Sequence, residues 1–150
     1  MREPELKIAL AGNPNCGKTT LFNVLTGGKR AVGNRPGVTV DTETRACTLY
    51  SELDICDLPG IYSLSPFSPE ELCAREALLG GKADVIISVI DGTKPVRGIY
   101  LTLQLIELGI PVTVAVNMSD AMRRQGITFD TEKLSDALGC TVVSVSARRG

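Results

Sequence analysis

Gly12-Asn13-Pro14-Asn15-Cys16-Gly17-Lys18-Thr19 lies between an apolar run and a stretch with helical spacing. Two glycines, a lysine and a hydroxyl at these intervals suit polyphosphate chemistry. Glycines let successive backbone N–H groups turn inward, the N-terminus of the following helix adds positive potential, and Lys18 can reach the β- and γ-phosphates. The Thr19 hydroxyl is a ligand for Mg²⁺, and Thr20 continues the candidate binding segment. Cys16 lies inside this loop, where its amide rather than its thiol faces the phosphates. The plainer reading is a glycine-rich strand-to-helix turn, and the loop alone does not choose between ATP and GTP.

Two later segments bear on that choice. Guanine offers an N1–H and an exocyclic amine side by side, and one carboxylate can accept both. Asn117-Met118-Ser119-Asp120 supplies such a carboxylate at the end of a predicted parallel strand, the edge of an open α/β sheet where ligands bind. Asp120 is then the specificity residue, with Asn117 placed to bind the base and brace the phosphate loop. Adenine lacks the N1 proton and reverses the neighbouring donor, so such a site rejects it by about 10⁴-fold. The alternative is that Asn117 and Asp120 only cap the next helix. Asp57-Leu58-Pro59-Gly60 ends another predicted strand. There Asp57 can hold Mg²⁺ through water and the Gly60 N–H can meet the γ-phosphate, although the same residues also specify an ordinary turn.

The elements that position these groups follow from periodicity. Leu6 to Ala11 reads as a strand, and Leu21 and Leu25 place one face of a helix over Lys18 to Thr26 before Gly27-Gly28. Alternation from Val38 to Tyr50, followed by Leu53, Ile55 and Leu58, predicts an antiparallel hairpin. Asp84 to Asp91 has the continuous apolar centre of a strand covered on both faces. Leu101, Leu105 and Leu108 form a helix stripe, Ile110 to Val116 and Thr141 to Val145 are further strands, and Leu134 and Leu138 belong to the helix between them. The prediction is an α/β fold: a mostly parallel six-stranded sheet with one antiparallel strand and helices on both faces.

Composition fits one domain over residues 1–150, with 43% hydrophobic residues for its core. A formal charge of −1 gives no basic footprint, so no nucleic-acid partner is expected. The five cysteines form no C-x-x-C pair and read as free thiols of a reducing compartment. No apolar stretch approaches the roughly 20 residues of a membrane helix, and the charged start Met1-Arg2-Glu3-Pro4-Glu5 lacks a signal-peptide core. This part of the protein is expected in the cytosol.

Beyond these motifs, Gly12-Asn13-Pro14-Asn15, Val32-Gly33-Asn34, Pro36-Gly37-Val38-Thr39-Val40, Asp57 to Leu64 with Ser68-Pro69-Glu70-Glu71, Tyr100 to Leu105 and Asn117-Met118 resemble the cytosolic G domain of the FeoB ferrous iron transporters over essentially the whole chain. Met118 is telling, since most other GTPases carry lysine there. The resemblance implies a P-loop NTPase of the Ras-like G-domain fold that binds GTP and GDP and hydrolyses GTP slowly with Mg²⁺. It implies that the Ala147 N–H of Ser146-Ala147-Arg148 meets the guanine oxygen. It makes Thr39, 20 residues beyond Thr19, the switch I threonine, on Mg²⁺ and the γ-phosphate. It places Asn15, Lys18, Thr39 and Gly60 in catalysis.

Many GTPases have a water-orienting glutamine directly after the Gly60 position, but here Ile61 cannot hydrogen-bond. Related GTPases with an apolar residue there use K⁺. Asn15 matches their potassium-ligating asparagine, and the carbonyls near Gly33 and Arg35 resemble the rest of the cage. Asn15 as a plain turn residue is the alternative. Arg35 stands where the family often has tryptophan, and its guanidinium could supplement or replace the ion.

The family also implies a helical domain and a transmembrane Fe(II) permease outside this chain, at the cytoplasmic face of a prokaryotic inner membrane. The chain is expected to be a fragment lacking the closing C-terminal helix, and an uncovered sheet face would favour homo-oligomers. With no histidine and scattered cysteines it has no convincing iron site of its own. Glu70 and Glu71 read as acids in the first turn of a helix, with water orientation as the alternative. The competing functions are an Era- or TrmE-type GTPase of ribosome assembly or tRNA modification, and a nucleotide-binding module that scarcely hydrolyses.

Overall fold

Alternation and β-branched residues give the strands their two faces, and those faces decide where each helix lies. The computed structural model describes residues 5–29 and 41–149. The strands are β1 (Leu6–Gly12), β2 (Glu43–Ala46), β3 (Leu53–Asp57), β4 (Val85–Asp91), β5 (Val112–Asn117) and β6 (Val142–Ser144). The helices are α1 (Lys18–Thr26), α2 (Pro69–Leu79), α3 (Pro95–Glu107), α4 (Ser119–Arg124) and α5 (Thr131–Leu138), and Ala147–Arg149 forms a short 3-10 turn. The strands lie in the order β2-β3-β1-β4-β5-β6. β2 runs antiparallel to β3, and every other pair is parallel. This is the predicted mixed sheet.

Parallel register brings the chemistry to one edge. Leu10 is level with Asp57, Gly12 with Val89, and Asp91 with Asn117. The segments leaving β1, β3, β4 and β5 therefore emerge together, as expected at the carboxyl ends of strands in an open α/β sheet. The period of two sorts the core. Ala9, Ala11, Cys56, Ile86, Ile90, Val114 and Val116 bury one face with Ala74, Ala77 and Leu78 of α2 and Leu101 and Leu105 of α3. Leu10 and Ile55 bury the other with Phe22 of α1 and Cys47. α3 sits close because Gly98 faces β4: a Cβ there would lie 3.0 Å from Ile90 Cγ2.

Several boundaries differ from the periodicity reading. β2 occupies only Glu43–Ala46, because the hairpin turn uses the following residues: Cys47 N donates to Leu53 O at 2.9 Å and Leu53 N to Tyr50 O at 3.0 Å. Val38 to Val40 lie outside the described residues. β5 begins at Val112, after Pro111, which has no N–H for a ladder. Leu108 is the C-cap of α3, and it packs partly buried against the same core as Leu101 and Leu105. α2 starts as its residues dictate, with Ser68 Oγ accepting from Glu71 N at 3.0 Å, Pro69 in the first turn, and Glu70 and Glu71 beside it.

Candidate functional site

The phosphate-loop candidate runs from the end of β1 into α1. Gly12 has no room for a side chain: a Cβ there would lie 2.6 Å from Cys16 Sγ and 2.8 Å from Val89 O. Gly17 has φ 87°, and its Cβ would lie 2.2 Å from Asn117 Nδ2. Glycine is required there by both conformation and space. Asn15 takes φ 67°, a left-handed geometry asparagine tolerates, and is exposed. Cys16 is 2% exposed, and burial pushes its thiol up to about 11, which keeps it protonated and unreactive at neutral pH. Asn13 and Pro14 are half-buried, and Asn13 Nδ2 donates to Ile61 O at 2.8 Å.

Three metal- and phosphate-directed groups converge between α1 and β3. Lys18 is buried, with Nζ 2.5 Å from Asp57 Oδ1 and a further hydrogen bond to Leu58 O. Thr19 Oγ1 donates to Asp57 Oδ2 at 3.3 Å. A hydroxyl and a carboxylate so close, on a helix start and a strand end, are the hard oxygen donors that Mg²⁺ takes. Gly60 packs on the loop from the other side, since a Cβ there would lie 3.0 Å from Pro14 Cα.

Asn117, 2% exposed, joins this loop to the base-binding candidate. Its Nδ2 donates to Cys16 O at 2.9 Å, and its Oδ1 accepts from Ala147 N at 3.0 Å. Met118 follows with φ 70°, turning the chain from β5 into α4. Asp120 lies in the first turn of α4 with Arg124 Nη1 3.7 Å away. The Ala121 backbone N–H is the main cause holding the Asp120 carboxyl below its ordinary range, with Ser146 and Arg124 adding to it. Ser146 Oγ stands near enough to favour the anion but is buried without a hydrogen bond of normal geometry. Ala147 is buried, and Arg148 is exposed.

The structure thus brings together Gly12 to Thr20, Asp57, Gly60, Asn117, Met118, Asp120 and Ser146 to Arg148 along one sheet edge. Gly33, Arg35 and Thr39 lie outside the described residues. The sequence reading missed Gly92, where a side chain would crowd the site: a Cβ would lie 2.2 Å from Met122 Sδ and 3.0 Å from Asn117 O. Asp91-Gly92 at a strand end was the available signal. It also missed how Glu71 is used: beyond starting α2, its carboxylate accepts from Ser63 at 3.3 Å and from Ser65. Among the described residues no group of three or more histidine, cysteine, aspartate or glutamate side chains could hold a metal, and no helix is long and apolar enough to cross a membrane.

Comparison with known proteins agrees with this geometry. The family model described as ferrous iron transport protein B matches residues 6–150. The Fe(2+) transporter FeoB of Legionella pneumophila (strain Lens) is 49% identical over 145 residues, covering 93% of this chain and 19% of that protein. The one from Salmonella typhimurium is 47% identical over 151 residues, covering 97% and 20%. The chain therefore spans about a fifth of the length of these relatives. Among solved structures, S. thermophilus NFeoB bound to GDP.AlF4⁻ and K⁺ superposes with a TM-score of 0.90 at 53% identity, covering 96% of this chain and 56% of that one. The mGMPPNP-bound form gives 0.88 at 54%, covering 95% and 55%. With the family model matching nearly the whole chain and relatives close to half identical over it, the chain belongs to the ferrous iron transport protein B family.

Proposed function

We propose that this chain binds GTP with Mg²⁺ and hydrolyses it slowly to GDP and phosphate, as the nucleotide-operated part of a ferrous iron transporter. The Asn117 bridge carries the reading. One buried amide holds Cys16 O of the phosphate loop and Ala147 N of the base-side turn, so a triphosphate and a purine are gripped by a single connected frame. The nucleotides and K⁺ bound by the S. thermophilus relatives support it.

In this reading the backbone N–H groups from Asn15 to Thr19 surround the phosphates, and Lys18 neutralises their charge. Thr19, Asp57 and Thr39 are the residues that would hold Mg²⁺, which when bound would offset the charge of the phosphate oxygens. Water attacks the γ-phosphorus, the bond to the β-phosphate oxygen breaks, GDP leaves, and the proton ends on phosphate. The Gly60 N–H steadies the charge on the transferred group. The Ile61 side chain takes no part in orienting water, being 2% exposed and packed into the core. Asn15, exposed at the loop, would offer its amide oxygen to K⁺, together with carbonyls near Gly33 and Arg35. On the base side Asp120 accepts the two guanine donors, and the Ala147 N–H that Asn117 Oδ1 accepts is shared with the guanine oxygen.

Iron movement belongs to a transmembrane permease, with a helical domain between, and this domain works at the cytoplasmic face of the inner membrane. The decisive experiment is nucleotide selectivity of Asp120→Asn. The amide replaces one acceptor with a donor, so affinity should pass from GTP to xanthosine triphosphate, whose C2 oxygen accepts what the amide donates. Unchanged guanine preference would overturn the assignment of the base site.

A further inference from the structure

The segment after β3 is anchored twice, by different parts of the molecule. Its first anchor is the phosphate loop and β1: Leu58 N donates to Leu10 O at 3.2 Å, Ile61 N to Gly12 O at 3.0 Å, and Ile61 O accepts from Asn13 Nδ2 at 2.8 Å. At Leu64 the partners change. Its N–H donates to Gln104 Oε1 of α3 at 2.8 Å, and its C=O accepts from Arg75 Nη1 of α2 at 3.0 Å. The Leu64 side chain is 7% exposed and packs into the core. One peptide position is therefore gripped by side chains from two separate helices as well as by its own burial.

Neither contact is needed to build its helix. Arg75 lies inside α2 and Gln104 in the last turn of α3, and the Leu64 contacts of both side chains cap neither helix. Their shared target is the loop backbone, whose buried N–H would otherwise be unpaired at considerable cost. Gly60 sits between Asp57 and the Leu64 anchor, against Pro14. With both anchors set, the arc from Gly60 to Leu64 has little slack, and the Gly60 N–H is held in one place beside the phosphate loop. With Leu64 released, the Ile61 contacts with Gly12 and Asn13 alone hold that amide from its C-terminal side.

We propose that Gln104 and Arg75 are positioning residues for hydrolysis: by clamping both backbone polar groups of Leu64 they fix where the Gly60 amide meets the terminal phosphate. The inference rests on the GTPase reading above. Binding of GDP needs the phosphate loop and Asp120, so the clamp acts on the chemical step and leaves affinity alone.

The test compares Gln104→Leu, Gln104→Glu and Arg75→Met by GDP titration and by single-turnover GTP hydrolysis with Mg²⁺ and K⁺. Misplacing a reacting group by about 1 Å can cost about 10²-fold, so Gln104→Leu should lower the hydrolysis constant at least about tenfold at unchanged GDP affinity. Gln104→Glu keeps an oxygen to accept the Leu64 N–H and should recover most of the rate, which a role in packing alone would not produce. Arg75 is exposed, so Arg75→Met should fold and lose rate in the same direction, and it decides the matter if Gln104→Leu does not fold. Variants that hydrolyse at the wild-type rate, or a Glu variant as slow as the Leu variant, would overturn the clamp while the GTPase reading stands. An unaltered chain that binds and hydrolyses no GTP would remove both, a result distinguishable from the first.

Discussion

Under the proposed function, Asp120 illustrates how an acid at a helix start becomes a selective one. Its carboxyl is lowered first by the Ala121 amide at the start of α4, a helix terminus that favours negative charge. Because the folded value lies below the ordinary one, the carboxylate is present above the unfolded value and is lost only as pH falls through the folded value. Its contribution to guanine recognition should therefore be constant from pH 7 to pH 5 and decline only below the ordinary aspartate value of about 3.9. The clean measurement is the ratio of GDP to inosine diphosphate affinities, since the phosphates titrate alike in both and only the exocyclic amine differs. A ratio that already falls at pH 5 would show that the carboxyl is not lowered. Cys16 is the opposite case: with its thiol pushed up to about 11 and 2% exposed, it contributes shape rather than chemistry.

Between helix and sheet, one polar contact inside the apolar layer offers a sharp stability test. Ser88 Oγ of β4 lies 2.7 Å from Thr102 Oγ1 of α3, both buried. Thr102 Oγ1 also donates to Gly98 O at 2.7 Å, so the shared proton between the two hydroxyls is that of Ser88. Ser88→Ala leaves Thr102 its backbone partner and should cost about 0.5–1.5 kcal/mol, whereas Thr102→Val leaves Ser88 buried and unpaired and should cost about 1–3 kcal/mol. The double variant should cost less than the sum, because the second change removes the orphan left by the first; urea unfolding of the four proteins measures the coupling. Strict additivity would mean the two hydroxyls do not interact. Neither residue stood out in the sequence, where Ser88 interrupts an apolar run and Thr102 lies in a helix stripe. Local patterns were legible where structure is local: the strand, glycine-rich turn and helix around Gly12 to Thr19 were read in succession, and Asn117 and Asp120 were placed at the end of a strand. Contacts between distant segments were not legible. The Gln104 and Arg75 grip on Leu64 joins residues whose neighbours carry no trace of the pairing, and the shortened β2 reflects a turn closed by Cys47, Tyr50 and Leu53 that alternation alone extends into strand. Thr39, Gly33 and Arg35 rest on resemblance alone.

Across the molecule, the proposed nucleotide site and the fold share a keystone. Asn117 reaches Cys16, 101 residues away in the chain, and Ala147, 30 residues the other way. A ligand gripped by the segments after β1, β3, β5 and β6 therefore holds together strand ends that unfolding would separate. Binding that is confined to the folded state stabilises it by mass action, about 2.7 kcal/mol at a hundredfold excess over Kd. For a domain of this size each kcal/mol is worth about 2–4 °C, so GDP at that excess should raise Tm by about 5–11 °C, and ADP at the same concentration should leave it in place. Asn117→Ala should act on both sides of this balance. It orphans Cys16 O and Ala147 N in a buried setting, at about 1–3 kcal/mol each, and it disconnects the phosphate loop from the base-side turn. Its Tm should fall without ligand, and the shift given by GDP should shrink. Were GDP affinity lost while the ligand-free Tm held, the amide would be a contact to the base and no part of the frame. Were Tm lost while the GDP shift survived intact, the frame would not need the bridge to bind.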